Sequence, residues 1–281
     1  MAMKIALMGA GGKMGTRAID KLKDNPRYNV LCIEVSPAGI QQVEARGYKP
    51  VPQDEALAQA DVVVLALPDK LIGRVTSAIV PRLNSGAMVM GLDPAAAFAG
   101  VIPIREDLTY FVAHPCHPPL FHNETDPDAR EDWFGGIAAQ HVVCALHHGP
   151  EADYAKGEQI AIDLFGPIIK AHRITVEQMA ILEPGLVETT TLALIGVMKE
   201  AYDEVVRMGV PEEAAWAFFL GHIRTEMAIV FDIAGFPVSD GAKLAMEKGI
   251  DQLMRPDWKE RVFDLEKIRH SVHEITDSVK V

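Results

Sequence analysis

With 281 residues, 49% hydrophobic and 23% charged, the chain has enough apolar side chain for one large globular domain or two modest ones. The net charge of −12, with no Lys/Arg cluster to interrupt it, argues against a nucleic-acid partner. Cys32, Cys116 and Cys144 are widely spaced and form no CxxC pair, which excludes a disulfide framework and a cysteine-rich zinc site. A reduced, cytoplasmic protein fits that usage. The start of the chain runs from Met3 into a glycine-rich turn without a signal-peptide cleavage region. The apolar runs are short and interrupted, so neither a membrane span nor a membrane partner is expected.

In chain order, Lys4–Met8 reads as a strand, Met14–Lys23 as a helix and Asn29–Glu34 as a second strand. Asp61–Leu67 is a continuous apolar run stopped by Pro68, the pattern of a strand buried on both faces of a parallel sheet. Ala87–Leu92, Thr109–Ala113 and His141–Leu146 complete the expected strands. Strands alternating with helices predict a doubly wound α/β sheet of Rossmann type. After about Pro150 no strand is expected. Glu151–Leu164 has helical spacing, and a long helix is predicted from about Pro184 to Met208. Residues 212–233 form a helix so apolar that burial is expected, and Asp257 to about Val279 reads as a final amphipathic helix. The expected division is therefore a dinucleotide-binding domain over 1–148 and an all-α substrate and dimerisation domain over 149–281.

Gly9-Ala10-Gly11-Gly12-Lys13-Met14-Gly15 lies between the first strand and the first helix. Glycines there permit a tight turn and let a pyrophosphate approach backbone N–H groups at a helix N-terminus. Glu34 ends the second strand, 19 positions after Gly15, where an acid accepts hydrogen bonds from the ribose hydroxyls and repels a 2′-phosphate. NAD is therefore favoured over NADP. Pro68 and Asp69, at the end of the third expected strand, face the same crevice. The bland alternatives are an ordinary strand–helix turn, a solvated Glu34 and a simple strand end at Asp69.

His114-Pro115-Cys116-His117-Pro118-Pro119 follows a strand, so two histidines enter a proline-stiffened loop at the crevice. Each is either an acid–base group or metal ligand, or a partner for a backbone carbonyl. Glu183 and Glu188 bracket the start of the long helix. Glu183 is either an acid near a helix start or a metal ligand with His114; Glu188 is a base or supporting group. Such a nitrogen–oxygen set suits zinc foremost, or manganese or magnesium. His222 and Arg224 interrupt the apolar helix and are read as buried groups, either paired structurally or directed at a substrate carboxylate.

Taken together, the Gly9–Gly15 turn, Glu34, Leu65-Ala66-Leu67-Pro68-Asp69 and a helical second half resemble the β-hydroxyacid dehydrogenase and 6-phosphogluconate dehydrogenase superfamily. Members of that superfamily carry a Lys-x-x-x-Asn pair early in the long helix. Here the region reads Glu183-Pro184-Gly185-Leu186-Val187-Glu188-Thr189-Thr190-Thr191, and the first lysine is Lys199. The segments Ala113–Phe121 and Leu182–Thr190 resemble more closely the D-apionate oxidoisomerase family. That resemblance implies NAD-dependent oxidation of a branched hydroxy sugar acid, D-apionate, coupled to a metal-assisted 1,2-shift giving 3-oxo-isoapionate. It also implies His114 and Glu183 as metal ligands, and His117 and Glu188 as acid–base groups. Two other readings stand beside it: a metal-free 3-hydroxyacid dehydrogenase acting on another small sugar acid, and a non-catalytic NAD(H) sensor. A homodimer joined through the helical halves is expected from the apolar helix.

Overall fold

The computed structural model describes residues 2–277. Seven strands form one sheet in the order β2-β1-β3-β4-β5-β6-β7. β1 (Met3–Met8), β2 (Tyr28–Ile33), β3 (Val62–Leu65), β4 (Met88–Gly91) and β5 (Thr109–Pro115) run parallel. β6 (Gln140–His148) is antiparallel to β5, and β7 (Ile168–Arg173) is parallel to β6. The six strands expected from the sequence are all present, with ends moved by at most two residues. The reversal at β6 departs from the all-parallel expectation.

Buried faces explain the strand sequences. All four residues of β3, Val62 to Leu65, are buried, so a run of β-branched side chains fits where water meets neither face. Along β1, Ile5 and Leu7 join the core formed with α1 (Lys13–Leu22) and α7 (Tyr154–Phe165), while Ala6 and Met8 are buried on the other face. α7 lies so close to the sheet that a Cβ on Gly157 would stand 2.5 Å from the Phe111 ring. Ile160, Leu164 and Phe165 fill the space beside that contact and are fully buried.

The chain divides into two compact units: one runs through Glu183 and resumes at Arg269, and the other spans Pro184–Ile268. The boundary expected after residue 148 is thus displaced, because α7 and β7 continue the sheet unit. β7 escaped the sequence reading for a physical reason. It is an edge strand, Ile-Ile-Lys-Ala-His-Arg, with no fully buried residue and only a weak apolar alternation.

The long helix also begins earlier than expected. α8 (Val176–Ala180) starts at Thr175, which caps it together with Gln178 in a reciprocal capping box. Pro184 therefore lies inside a helical run instead of opening one. The run is π-helical over Ile181–Leu192. A wider turn tolerates a residue with no N–H to donate. Thr190 and Thr191 each donate through Oγ1 to the carbonyl five residues back, Gly185 and Leu186 (2.8 and 2.9 Å).

The helical unit holds α9 (Ala193–Arg207), α10 (Glu212–Val230), α11 (Asp240–Leu253) and α12 (Trp258–Val262). The burial expected for residues 212–233 is not met within one chain: Ala215 is the buried residue of α10, and Phe218 is 70% exposed. The helical run Val176–Arg207 is long and apolar enough, by length and composition, to cross a membrane, contrary to the expectation from the sequence. The expected final helix is two helices, α12 and α13 (Leu265–Asp277), and its last expected residues lie outside the described ones. Ile268 and Val272 of its predicted apolar stripe are buried.

Leu164→Ala is expected to destabilise the sheet unit by about 2–5 kcal/mol, because a fully buried side chain leaves a cavity between α7 and the sheet. Denaturant unfolding followed by circular dichroism measures it.

Candidate active site

At the carboxyl end of β1 the backbone has no room for side chains. Gly9 has φ +72°, and a Cβ there would stand 2.2 Å from the Ala66 carbonyl oxygen. A Cβ on Gly15 would stand 2.2 Å from the Gly9 oxygen, and one on Gly11 would strike Gly39. The chain therefore turns tightly from β1 into α1. Gly12 is the N-cap of α1 and supplies no side-chain cap. The first N–H groups of the helix thus point outward without a side-chain acceptor, the arrangement that receives a phosphate. β2 and β3 lie on opposite sides of β1, so this turn sits at the point where the strand order reverses.

Glu34 stands beside the turn. Its Oε2 accepts the Gly11 N–H (2.9 Å), and its Oε1 accepts the N–H groups of Val35 and Ser36 (2.9 Å each) and the Ser36 hydroxyl (3.0 Å). Burial raises the pKa of this carboxyl, but those hydrogen bonds outweigh it and hold the group below its ordinary value.

A cavity of about 380 Å³ opens along the carboxyl edge of the sheet. It is lined by Gly12, Lys13 and Met14 of the turn, by Pro68 and Asp69 after β3, and by Asp93, His114, His117 and Phe134. Asp93 and His114 of this lining converge with Glu183. His114 Nε2 lies 3.8 Å from Asp93 Oδ2 and 3.8 Å from Glu183 Oε1, and the three donor atoms lie within 4.8 Å of one another. His114 Nδ1–H donates to the Pro115 carbonyl (2.9 Å), and its Nε2 faces the two carboxylates. Asp93 Oδ1 accepts the Ala95 N–H (2.7 Å), so its other oxygen turns to the triangle. Ligands bonded at roughly 2.1 Å to one cation stand about 3–3.5 Å apart, so a small contraction closes the set around an ion. Two carboxylates this close to each other favour a cation between them, and a histidine whose second nitrogen donates to a carbonyl is the usual form of a metal ligand.

His117 is held differently. Its backbone has φ +60°, uncommon for a residue with a side chain. Its Nδ1–H donates to the Phe134 carbonyl (3.0 Å), so Nε2 carries the lone pair. Burial, with the nearby His114 and Arg17, lowers its pKa against the opposite pull of the bond to Phe134. The imidazole is therefore neutral at pH 7 and able to take a proton.

The structure thus gathers His114, Glu183 and His117 at the turn that carries Lys13 and Met14. Asp93 is the member that the sequence reading missed; the signal was Leu92-Asp93-Pro94 at the carboxyl end of a parallel strand. Glu188, His222 and Arg224 belong to the helical unit. His222 and Arg224 are exposed, correcting the expectation of buried groups that need partners. His222 Nδ1–H donates to the Phe218 carbonyl (2.7 Å), and its ring stacks on Phe218. One turn of helix separates the two residues, and both are exposed.

Residues 1–119 match the NADPH-binding domain of acetohydroxy acid isomeroreductase, and residues 122–276 match the C-terminal family of decarboxylating phosphogluconate dehydrogenase. A D-apionate oxidoisomerase of Rhizobium rhizogenes is 51% identical over 97% of this chain and 99% of that protein. The chain belongs to the D-apionate oxidoisomerase family. A second member of the family, from Cupriavidus necator, is 49% identical over 98% of this chain and all of its own length. The crystal structure of a semialdehyde dehydrogenase NAD-binding protein from Cupriavidus necator, in complex with calcium and NAD, superposes with a TM-score of 0.95 at 49% identity. That superposition covers 98% of this chain and 100% of the other. Membership of the family makes the chain an oxidoreductase with a Rossmann-type dinucleotide-binding unit and a helical C-terminal part.

Because the folded pKa of Glu34 lies below its unfolded value, its contribution to stability is complete above the ordinary carboxylate range and is lost as pH falls through the folded value. Glu34→Gln should therefore flatten the acid limb of a stability-versus-pH curve measured by urea unfolding. An unchanged acid limb would contradict the bonding described at the turn.

Proposed function

We propose that the chain oxidises D-apionate with NAD and rearranges the resulting keto acid to 3-oxo-isoapionate. The observation that carries this reading is the Asp93–His114–Glu183 triangle, two of whose members line, with His117, the cavity that begins at the glycine turn. The substrate follows from the family, and the site chemistry suits it. NAD is preferred to NADP because the Glu34 carboxylate, ionised at neutral pH, stands where a 2′-phosphate would be repelled.

In the first step a hydride leaves the carbinol carbon next to the carboxylate for the nicotinamide C4. His117 Nε2 takes the hydroxyl proton, and a 2-keto acid with an adjacent tertiary alcohol remains. In the second step a hydroxymethyl group moves, with its bonding pair, from the tertiary carbon to the keto carbon. The tertiary oxygen becomes the new carbonyl and gives its proton to solvent. His117 returns its proton to the oxygen from which it came. Asp93, His114 and Glu183 would hold a divalent cation, zinc, manganese and magnesium all suiting the nitrogen–oxygen set. Such an ion, when bound, polarises the two substrate oxygens and lowers the pKa of the alcohol, which is the task left open by the missing lysine. The absent Lys-x-x-x-Asn pair and the triangle are thus two sides of one chemical solution.

Two further parts of the proposal rest on the surface. A second copy of the chain covers the helical unit, because Phe218, Phe231 and Leu253 are 70%, 67% and 73% exposed and would otherwise stand in water. The cytoplasm is the compartment proposed, because Cys32, Cys116 and Cys144 are all unpaired.

Incubation with NAD and D-apionate should produce NADH at 340 nm and a rearranged keto acid by NMR. Prior chelation should stop it, and adding back a divalent metal should restore it. Turnover that ignores the chelator would favour a metal-free dehydrogenase. His114→Ala should abolish turnover while leaving NAD affinity nearly unchanged by calorimetry; a fully active variant would sink the metal assignment. Light scattering without detergent should give twice the 30.7 kDa chain mass, and a monomer would refute the paired helical units.

A further inference from the structure

Three cations stand four residues apart along α1: Lys13, Arg17 and Lys21. That spacing stacks side chains on one face of a helix. All three engage the segment 131–138. Lys13 Nζ lies 3.6 Å from the centre of the Phe134 ring. Arg17 Nη1 donates to the Phe134 carbonyl at 2.8 Å, and Lys21 Nζ donates to the Gly136 carbonyl at 2.6 Å. Asp132 ties the same segment from within, accepting the N–H groups of Gly135, Ile137 and Ala138 at 2.8, 2.8 and 3.0 Å.

Arg17 is the unusual member. It is only 8% exposed, its Nη2 makes a long contact to the Phe165 carbonyl (3.4 Å), and its Nε is buried without a hydrogen-bond partner. A buried guanidinium with an unsatisfied donor costs free energy that an apolar side chain would not. Its chief bond is to an oxygen with a second duty. The Phe134 carbonyl has two lone pairs, and it accepts both Arg17 Nη1–H and His117 Nδ1–H. The Phe134 ring also lies against the His117 ring, with centroids 5.0 Å apart. Since His117 occupies the left-handed region with a side chain, its conformation has to be imposed by its surroundings.

We propose that Arg17 is a positioning residue for His117: by sharing the Phe134 carbonyl it fixes the 131–138 segment, and with it the ring orientation and tautomer that turn His117 Nε2 to the cavity. The helix that begins at the dinucleotide turn and the histidine that meets the substrate then form one mechanical piece. The proposal deepens the reading of His117 as proton acceptor and rests on it for its effect on rate, but the ring geometry can be measured without substrate.

The test combines nitrogen-15 NMR of the histidine rings with a double-mutant cycle. In the parent protein the proton of neutral His117 should sit on Nδ1; a proton on Nε2 overturns the proposal without any variant being made. Arg17→Met should give a mixture of tautomers and lower kcat on D-apionate by about 10- to 100-fold. Calorimetric affinity for NAD should stay close to that of the parent. In a His117→Ala background the same substitution should cost less than about twofold, since there is no ring left to position. Equal losses in both backgrounds would show a general structural role and overturn the proposal, as would an unchanged kcat in Arg17→Met. His117→Ala with full turnover would instead overturn the proton-acceptor reading, and the tautomer would still decide the case of Arg17.

Discussion

The contact on which the rest depends is the approach of β1 to β3 at their carboxyl ends. Gly9 can lie against the Ala66 carbonyl only because it has no Cβ, and Gly15 can lie against Gly9 for the same reason. This brings the start of α1 down onto the sheet at the place where the strand order reverses. Much of the cavity's lining is hung from the same edge: the turn after β1, Pro68 and Asp69 after β3, Asp93 after β4, and His114 at the end of β5. A parallel sheet sends the ends of all these strands in one direction, so residues far apart in sequence arrive together.

Within that cavity two histidines three residues apart acquire different tasks. Both donate Nδ1–H to a backbone carbonyl, Pro115 for His114 and Phe134 for His117, so in both Nε2 is the nitrogen turned to other groups. What differs is what that nitrogen meets. His114 faces two carboxylates, a set that asks for a cation. His117 leans on Phe134 at the end of a cationic stripe, where burial and nearby positive charge keep it neutral. Identical side chains are thus given different partners by their surroundings.

The helical unit poses a separate problem of solvation. Its helices carry large apolar side chains on faces that the chain itself leaves uncovered, and the π-helical run around Pro184 shows how the backbone accommodates a proline without ending.

The sequence by itself determined the dinucleotide turn, the six strands around it and the histidine loop. These rest on local rules: glycine where a turn leaves no space, continuous apolar runs where both faces are buried, and proline next to histidines held in a loop. Tertiary structure alone decided the remainder. Asp93 was silent in sequence because an acid before a proline looks like any turn until strand order sets it beside His114. Glu183 looked like an acid at a helix start, yet the helix starts at Thr175, and the carboxylate lies 3.8 Å from His114 Nε2. β7 was hidden because an edge strand need not be apolar. That the carbonyl partner of Arg17 also holds His117 depends on bringing together residues 117 positions apart. Pattern along a chain records which faces are buried, whereas pairing between distant side chains is fixed only when the sheet has assembled.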